Sequence, residues 1–235
     1  MKVAGVDGCR KGWLMVKWDG NSYGYLVFDN FSGLAESHPD LSLLLIDIPI
    51  GLSGPGFPRS LESALRNELK GRSSTVFNPP SREALYADNL ESAKAINLEK
   101  EGKSISIQTW NIMPKIREVD EYLCKSKDME LYESHPELCF KYLNSGKVLM
   151  SSKKTAEGFE ERFRILAETD PQLSEVLDEM LNSLPRSSVQ KDDILDAACL
   201  ALVAKLGMQN RLSFLEDKNP VNAMGHPMKI AFYRQ

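Results

Sequence analysis

Four places in the chain put an acid where its surroundings make one unexpected. Asp7 closes the apolar run KVAGVD, Asp47 sits inside LLLIDIPI, and Glu133 closes MELYE. Asp192, Asp193 and Asp196 fall in the first turns of a helical pattern, KDDILDAACLA. A carboxylate in so apolar a strand as that around Asp47 is costly unless it is paired, hydrogen-bonded or on a metal. On the helix, Asp192 and Asp196 are four apart and Asp193 and Asp196 three apart, so either pair projects from adjacent turns of one side. Such like-charge pairs weaken a helix slightly, and a position near its N-terminus offsets part of the cost. Each acid has an ordinary alternative: a turn at Asp7-Gly8, a loop cap at Asp47, dipole-matching acids at Asp192 and Asp193. A shared divalent cation accounts for all four places together, and hard carboxylate oxygens suit Mg²⁺ or Mn²⁺.

The elements that must position these acids follow from hydrophobic patterning. Strands are expected at 2–7, 12–18 and 23–29, the last two joined through DGNS, a strong hairpin signal. A short helix at 31–37 precedes the most apolar run, 41–50, which reads as a central strand covered on both faces. A loop at 51–58, a helix at 59–70, a loop at 71–80 and a helix capped by Ser81 follow. With a further helix at 111–126, the stretch 52–128 reads as a mostly helical insertion. A strand at 129–133 leads to a helix opening at His135-Pro136. Helices are expected at 155–169 and 171–182, and a long one at 189–206 capped by Ser187 or Ser188. Its Leu195, Ala198, Cys199, Leu202 and Leu206 form one apolar stripe. The tail is loop with a short strand at 228–233. The expected class is α/β, a five-stranded mixed sheet in the order 3-2-1-4-5 with the second strand antiparallel to the rest. Parallel strands would bring Asp7, Asp47 and Glu133 to one sheet end, where ligands gather in open α/β sheets.

The 235 residues, 42% hydrophobic and 26% charged, suffice for one large domain with its own core. The net charge of −4 gives no bulk attraction for nucleic acid or an anionic membrane, so any polyanion must meet a local basic patch. The four cysteines, Cys9, Cys124, Cys139 and Cys199, form no CxxC or CxxH pair, which argues against a zinc site or a disulfide framework. No signal-like segment and no apolar run of transmembrane length occurs, so a cytoplasmic protein with no membrane partner is expected. Trp13, Trp18 and Trp110 read as core, and His38, His135 and His226 lack metal-ligand spacing.

The segments GVDGCRKGW, IDIPIGL, ESHPELCF, SKKTAEGFEER and KDDILDAACLA, in this order, resemble a prokaryotic family of uncharacterised proteins described as predicted RNase H-like nucleases. The resemblance runs over most of the chain and implies an RNase H-like fold. By analogy with the wider superfamily, Asp7 resembles the first-strand aspartate of its nucleases. Asp47 is similar to the fourth-strand acid of the Holliday-junction resolvase branch, and Asp193 and Asp196 to that branch's C-terminal D-x-x-D-A helix. Glu133 matches a family motif without a counterpart among resolvases. The long insertion and the lack of a basic, aromatic DNA-binding stretch depart from true resolvases.

The resemblance implies phosphodiester hydrolysis by two divalent ions. Asp7, Asp47, Asp193 and Asp196 would be the ligands, with Asp7 bridging, and Glu133 would hold a water or orient a ligand. Which of Asp192 and Asp193 is the ligand stays open. Arg10, Lys11, Arg82, Lys153, Lys154 and Arg162 are the candidate phosphate-holding cations, and the expected partner is nucleic acid or another phosphodiester. Two alternatives stand beside this: a phosphotransferase of the actin-like or sugar-kinase type, and a non-enzymatic nucleic-acid-binding module on the same fold.

Overall fold

The computed structural model describes residues 1–126 and 129–234. Residues 127–128 of the expected insertion and the final residue of the tail lie outside these. The chain opens with β1 (Val3–Cys9), β2 (Gly12–Trp18) and β3 (Tyr23–Phe28), a meander as expected. The first strand runs through Asp7, which pairs with Leu14, so Asp7 is a strand residue and not part of a turn. After α1 (Phe31–Ser37) comes β4 (Leu43–Ile46), parallel to β1. This strand is shorter than the expected 41–50. Pro49 has no N–H to give a ladder and Gly51 turns at φ 73°, so Ile48 and Ile50 stay buried as loop residues.

The insertion holds α2 (Leu61–Glu68), a 3₁₀ turn (Ser73–Thr75), α3 (Arg82–Leu85), α4 (Leu90–Glu101) and α5 (Ile107–Lys125). Ser81 caps α3 as expected, accepting from the Ala84 N–H. Helix α4, bounded by Asn89 and by Gly102 at φ 66°, had no separate expectation. Then follow β5 (Leu131–Ser134), α6 (Pro136–Leu143), α7 (Ala156–Thr169), α8 (Pro171–Ser183) and α9 (Lys191–Asn210). Gln190, not Ser187 or Ser188, caps α9, through a box in which Asp193 accepts from the Gln190 N–H. The chain ends with β6 (Ser213–Val221) and β7 (Pro227–Phe232).

The sheet has seven strands rather than five, in the order β3-β2-β1-β4-β5-β7-β6. The expected 3-2-1-4-5 core is present, with β4 central. The C-terminal hairpin extends it, β7 parallel to β5 and β6 antiparallel to β7. The polar sequence SFLEDKNPV of β6 hid the edge strand, which is buried at few positions. No helix among the described residues is long and apolar enough to cross a membrane.

The two sheet faces bury separate cores. Val3, Leu43 and Leu45 face α6 to α9, whereas Ala4, Val6, Leu44 and Ile46 face α1 and the helices α3 to α5. Helix α9 is buried on all sides from Ile194 to Ala204, more than the single stripe expected, as suits a helix packed between a sheet and other helices. It meets β1 backbone to backbone: a Cβ on Gly5 would stand 2.1 Å from the Ala201 nitrogen and 2.4 Å from the Ala197 oxygen. Gly5→Ala should therefore cost about 2–3 kcal/mol by overpacking, a fall of roughly 4–12 °C in melting temperature for a chain of this size. Gly24→Ala on β3, where an added Cβ meets nothing within 4 Å, should change stability by less than about 0.5 kcal/mol. Equal melting of the two variants would contradict this packing.

Candidate active site

Register alone brings two of the acids together. Parallel pairing sets Val6 opposite Ile46, and the Asp47 N–H donates to the Val6 carbonyl at 3.1 Å. Asp7 and Asp47 thus occupy the next step of adjacent strands, on the side that faces α9, because strand residues two apart share a face. Asp7 lies two residues beyond Gly5, and Asp196 immediately precedes Ala197, so the Gly5 contact that seats α9 also sets Asp196 over Asp7. Asp7 is 9% exposed and Asp196 1%. One Asp7 oxygen accepts from the Gly8 N–H at 2.7 Å.

These carboxylates share one counter-ion that sequence reasoning assigned to the substrate. Lys153, in the loop before α7, donates its ammonium to Asp196 Oδ2 and lies 4.0 Å from Asp192 Oδ2. Asp196 Oδ1 is buried and has no hydrogen-bond partner. If all ionise, Asp7, Asp47 and Asp196 place three negative charges around one positive charge. Burial, then the charges of Asp196 and Asp47, raise the Asp7 carboxyl well above the usual range. Burial and Asp196 push Asp47 up to about 8, against the pull of Lys153. Burial opposes charging of Lys153, but Asp196 and Asp7 outweigh it and hold the ammonium protonated.

The other acids stand differently. Asp193 commits one oxygen to the cap of α9 and remains in the field of Asp192 and Asp196, with burial pushing it to about 6. Asp192 borders Lys153. Glu133 pairs with Ile46 in the ladder and so faces the opposite side of the sheet from Asp7 and Asp47. It is held by Arg59 at 2.8 and 2.9 Å and by the Ile50 N–H at 2.7 Å, so it fastens the loop after β4. Burial still raises it to about 7. Glu133 and Asp47 do share the wall of a cavity of about 30 Å³ with His135, room enough for a water. Burial and then Lys153 depress His135 to about 4, which keeps its imidazole neutral, and its buried Nδ1 has no hydrogen-bond partner.

Of the candidate phosphate-holding cations, Arg10, Lys153 and Lys154 line one groove of about 740 Å³ beside the carboxylates. Lys11 is exposed, 4.0 Å from Asp29. Arg162 cannot serve: it is 0% exposed and pairs at 2.8 Å with Glu137. Arg82 lies across the sheet, 3.0 Å from Asp120. Sequence reasoning missed Arg186 and Lys191, which also line the groove. Only their position before and at the start of the long helix could have indicated them. Cys9, Cys139 and Cys199 are buried, Cys124 is exposed, and all four are free thiols.

The donor set suits a hard divalent ion in its chemistry, since it is all oxygen and one buried carboxylate oxygen lacks a partner. It does not yet match in spacing: among the described residues no three His, Cys, Asp or Glu side chains stand close enough to hold a metal. The carboxylates surround the Lys153 ammonium instead.

A folded-state pKa raised above the unfolded value means that the folded form binds extra protons, so stability is lost as pH rises toward the folded pKa. Lowering the pH from about 8.5 to 6.5 in EDTA should therefore stabilise the protein by about 1–2 kcal/mol through Asp47. Asp47→Asn should melt higher than the native protein at the alkaline end and show a weaker pH dependence, the remainder coming from Asp7 and Glu133. A native melting temperature that rises with pH over the same window would contradict the crowding of charge.

No curated protein and no solved structure matches this chain. A family model described as a protein of unknown function (DUF429) matches residues 5–219, a span that takes in Asp7, Asp47, Lys153 and Asp196. The chain belongs to that DUF429 family.

Proposed function

We propose that the protein is a metal-dependent phosphodiesterase of nuclease type on an RNase H-like fold. The observation that carries this is the convergence of Asp7, Asp47 and Asp196 from three separate elements on one lysine, with Asp196 Oδ1 left without a partner. Carboxylates so crowded and buried are costly unless a stronger cation than one ammonium joins them. The order of the first five strands, with acids at the ends of β1 and β4, supports the same reading.

In this reading Asp7, Asp47, Asp196 and the free oxygen of Asp193 would hold Mg²⁺ or Mn²⁺, with two ions expected. When bound, such ions would supply an activated water and charge stabilisation at the leaving oxygen of a phosphodiester. Lys153, which also lines the groove, would offset negative charge on the phosphate once a metal neutralised Asp196. His135, held neutral, lines the water-sized cavity beside Asp47, where its buried Nδ1 can accept a hydrogen bond from a water. Glu133 and Arg59 hold the backbone after Asp47 and so set its direction. Arg10 and Lys154 position the phosphate chain.

One observation favours a second reading. Lys153 already neutralises part of the acid cluster, as it would in a nucleic-acid-binding module that does no chemistry. Labelled single strands, duplexes, RNA–DNA hybrids and junctions incubated with Mn²⁺ separate the two. Cleavage by the native protein should disappear in EDTA and fall by about 10²–10³-fold in Asp7→Asn and in Asp196→Asn, the scale of losing an electrostatic catalytic group. Equal cleavage in EDTA and in Mn²⁺ would defeat the metal mechanism. Binding without cleavage under every condition would favour the module.

A further inference from the structure

The chain carries a net charge of −4, yet the groove beside the carboxylates is basic. Arg10 comes from the β1–β2 turn, Lys154 from the loop before α7, and Arg186 and Lys191 from the entry to α9. With Lys153 these are five cations against the two acids of the lining, Glu160 and Asp192. Arg10, Lys154 and Lys191 are exposed and make no ion pair among the described residues. Arg186 commits Nη2 to the Leu181 carbonyl, and its buried Nη1 has no partner. Uncompensated cations held around one concavity focus a field that attracts anions.

Their distribution says which anion. A single phosphate is held by donors that converge on one point. Here the cations come from three segments that line a cleft of about 740 Å³, far more space than one phosphate fills, which suits a chain of charges. The groove also has an aromatic wall, Phe159, half-buried, with the Lys191 ammonium 5.4 Å from its ring. A cleft of about 740 Å³ admits a short stretch of strand with its bases turned inward, whereas a duplex keeps its bases stacked and out of reach of Phe159. A basic groove combined with an aromatic platform is the general means of holding single strands with little sequence preference.

We propose that this groove binds single-stranded nucleic acid, its phosphates on Arg10, Lys154, Arg186 and Lys191 and a base against Phe159, and delivers the strand to Lys153. The proposal deepens the phosphodiesterase reading, and a binding measurement in EDTA keeps it independent of catalysis. Fluorescence anisotropy with a labelled single-stranded oligonucleotide, a matched duplex and a labelled mononucleotide provides the test. The native protein should bind the single strand more tightly than the duplex and the mononucleotide. The combined variant Arg10→Ala, Lys154→Ala, Lys191→Ala should weaken that binding at least roughly tenfold. It should also reduce the slope of log affinity against log salt by about 2, near 0.7 for each phosphate that is no longer neutralised. Phe159→Leu, which keeps the apolar packing, should weaken binding with the salt slope unchanged. Unaltered affinity in the triple variant, equal or tighter binding of duplex, or binding of the mononucleotide alone would overturn the proposal. Metal-dependent cleavage with native rates in the triple variant would overturn it while leaving the phosphodiesterase reading in place. Strand binding that depends on the groove cations, without cleavage in Mn²⁺, would uphold it and remove that reading.

Discussion

The site depends on the close approach of α9 to β1 at Gly5. Any side chain there would collide with the helix backbone within about the length of a covalent bond or two, so only glycine lets helix and strand touch. That contact fixes both the height and the rotation of α9 over the sheet. Asp196 is one residue from the contact on the helix, and Asp7 is two residues from it on the strand. The two carboxylates are therefore forced into one buried space, and the parallel register of β4 adds Asp47. Packing, which stabilises, is here the device that brings like charges together, which destabilises.

The rest of the neighbourhood is arranged to tolerate that charge. Lys153 supplies one ammonium, Asp193 lends an oxygen to the helix cap, and Glu133 is turned away and neutralised by Arg59. Arg162 and Glu137 form a further buried pair that closes the packing of α6 against α7. Each of these pairs is an expense that a hydrophobic core would not carry, since burying ion pairs rarely stabilises a fold by itself. Their concentration around the end of the parallel strands is where ligands bind in open α/β sheets.

The sequence made much of this arrangement legible, and physical reasons separate the parts that were from those that were not. The meander, the apolar central strand and the long C-terminal helix carry strong periodic signals, and they position Asp7, Asp47 and Asp196. The hairpin β6–β7 did not stand out, because an edge strand is solvated and SFLEDKNPV lacks the alternation of a half-buried one. Glu133 was grouped with the other acids because its spacing cannot reveal on which face of the sheet a strand residue lies until the register is known. Arg10, Lys153 and Lys154 were already candidates, but Arg186 and Lys191 join them in one groove only in the fold, because no basic run links residues 10, 153–154 and 186–191. Lys153 was recognised as a cation near the site, but only tertiary structure places it among the carboxylates.

The central proposal is that the crowded carboxylates of Asp7, Asp47 and Asp196 hold a divalent cation. Calorimetric titration of the protein with Mn²⁺ near neutral pH, in buffers of different ionisation enthalpy, tests it most directly. Carboxyls held partly protonated by burial must ionise to take a metal. Saturable binding accompanied by release of protons is therefore predicted, with both signals lost in Asp196→Asn. Absence of binding, or binding with no proton release and no loss in Asp196→Asn, would contradict the account.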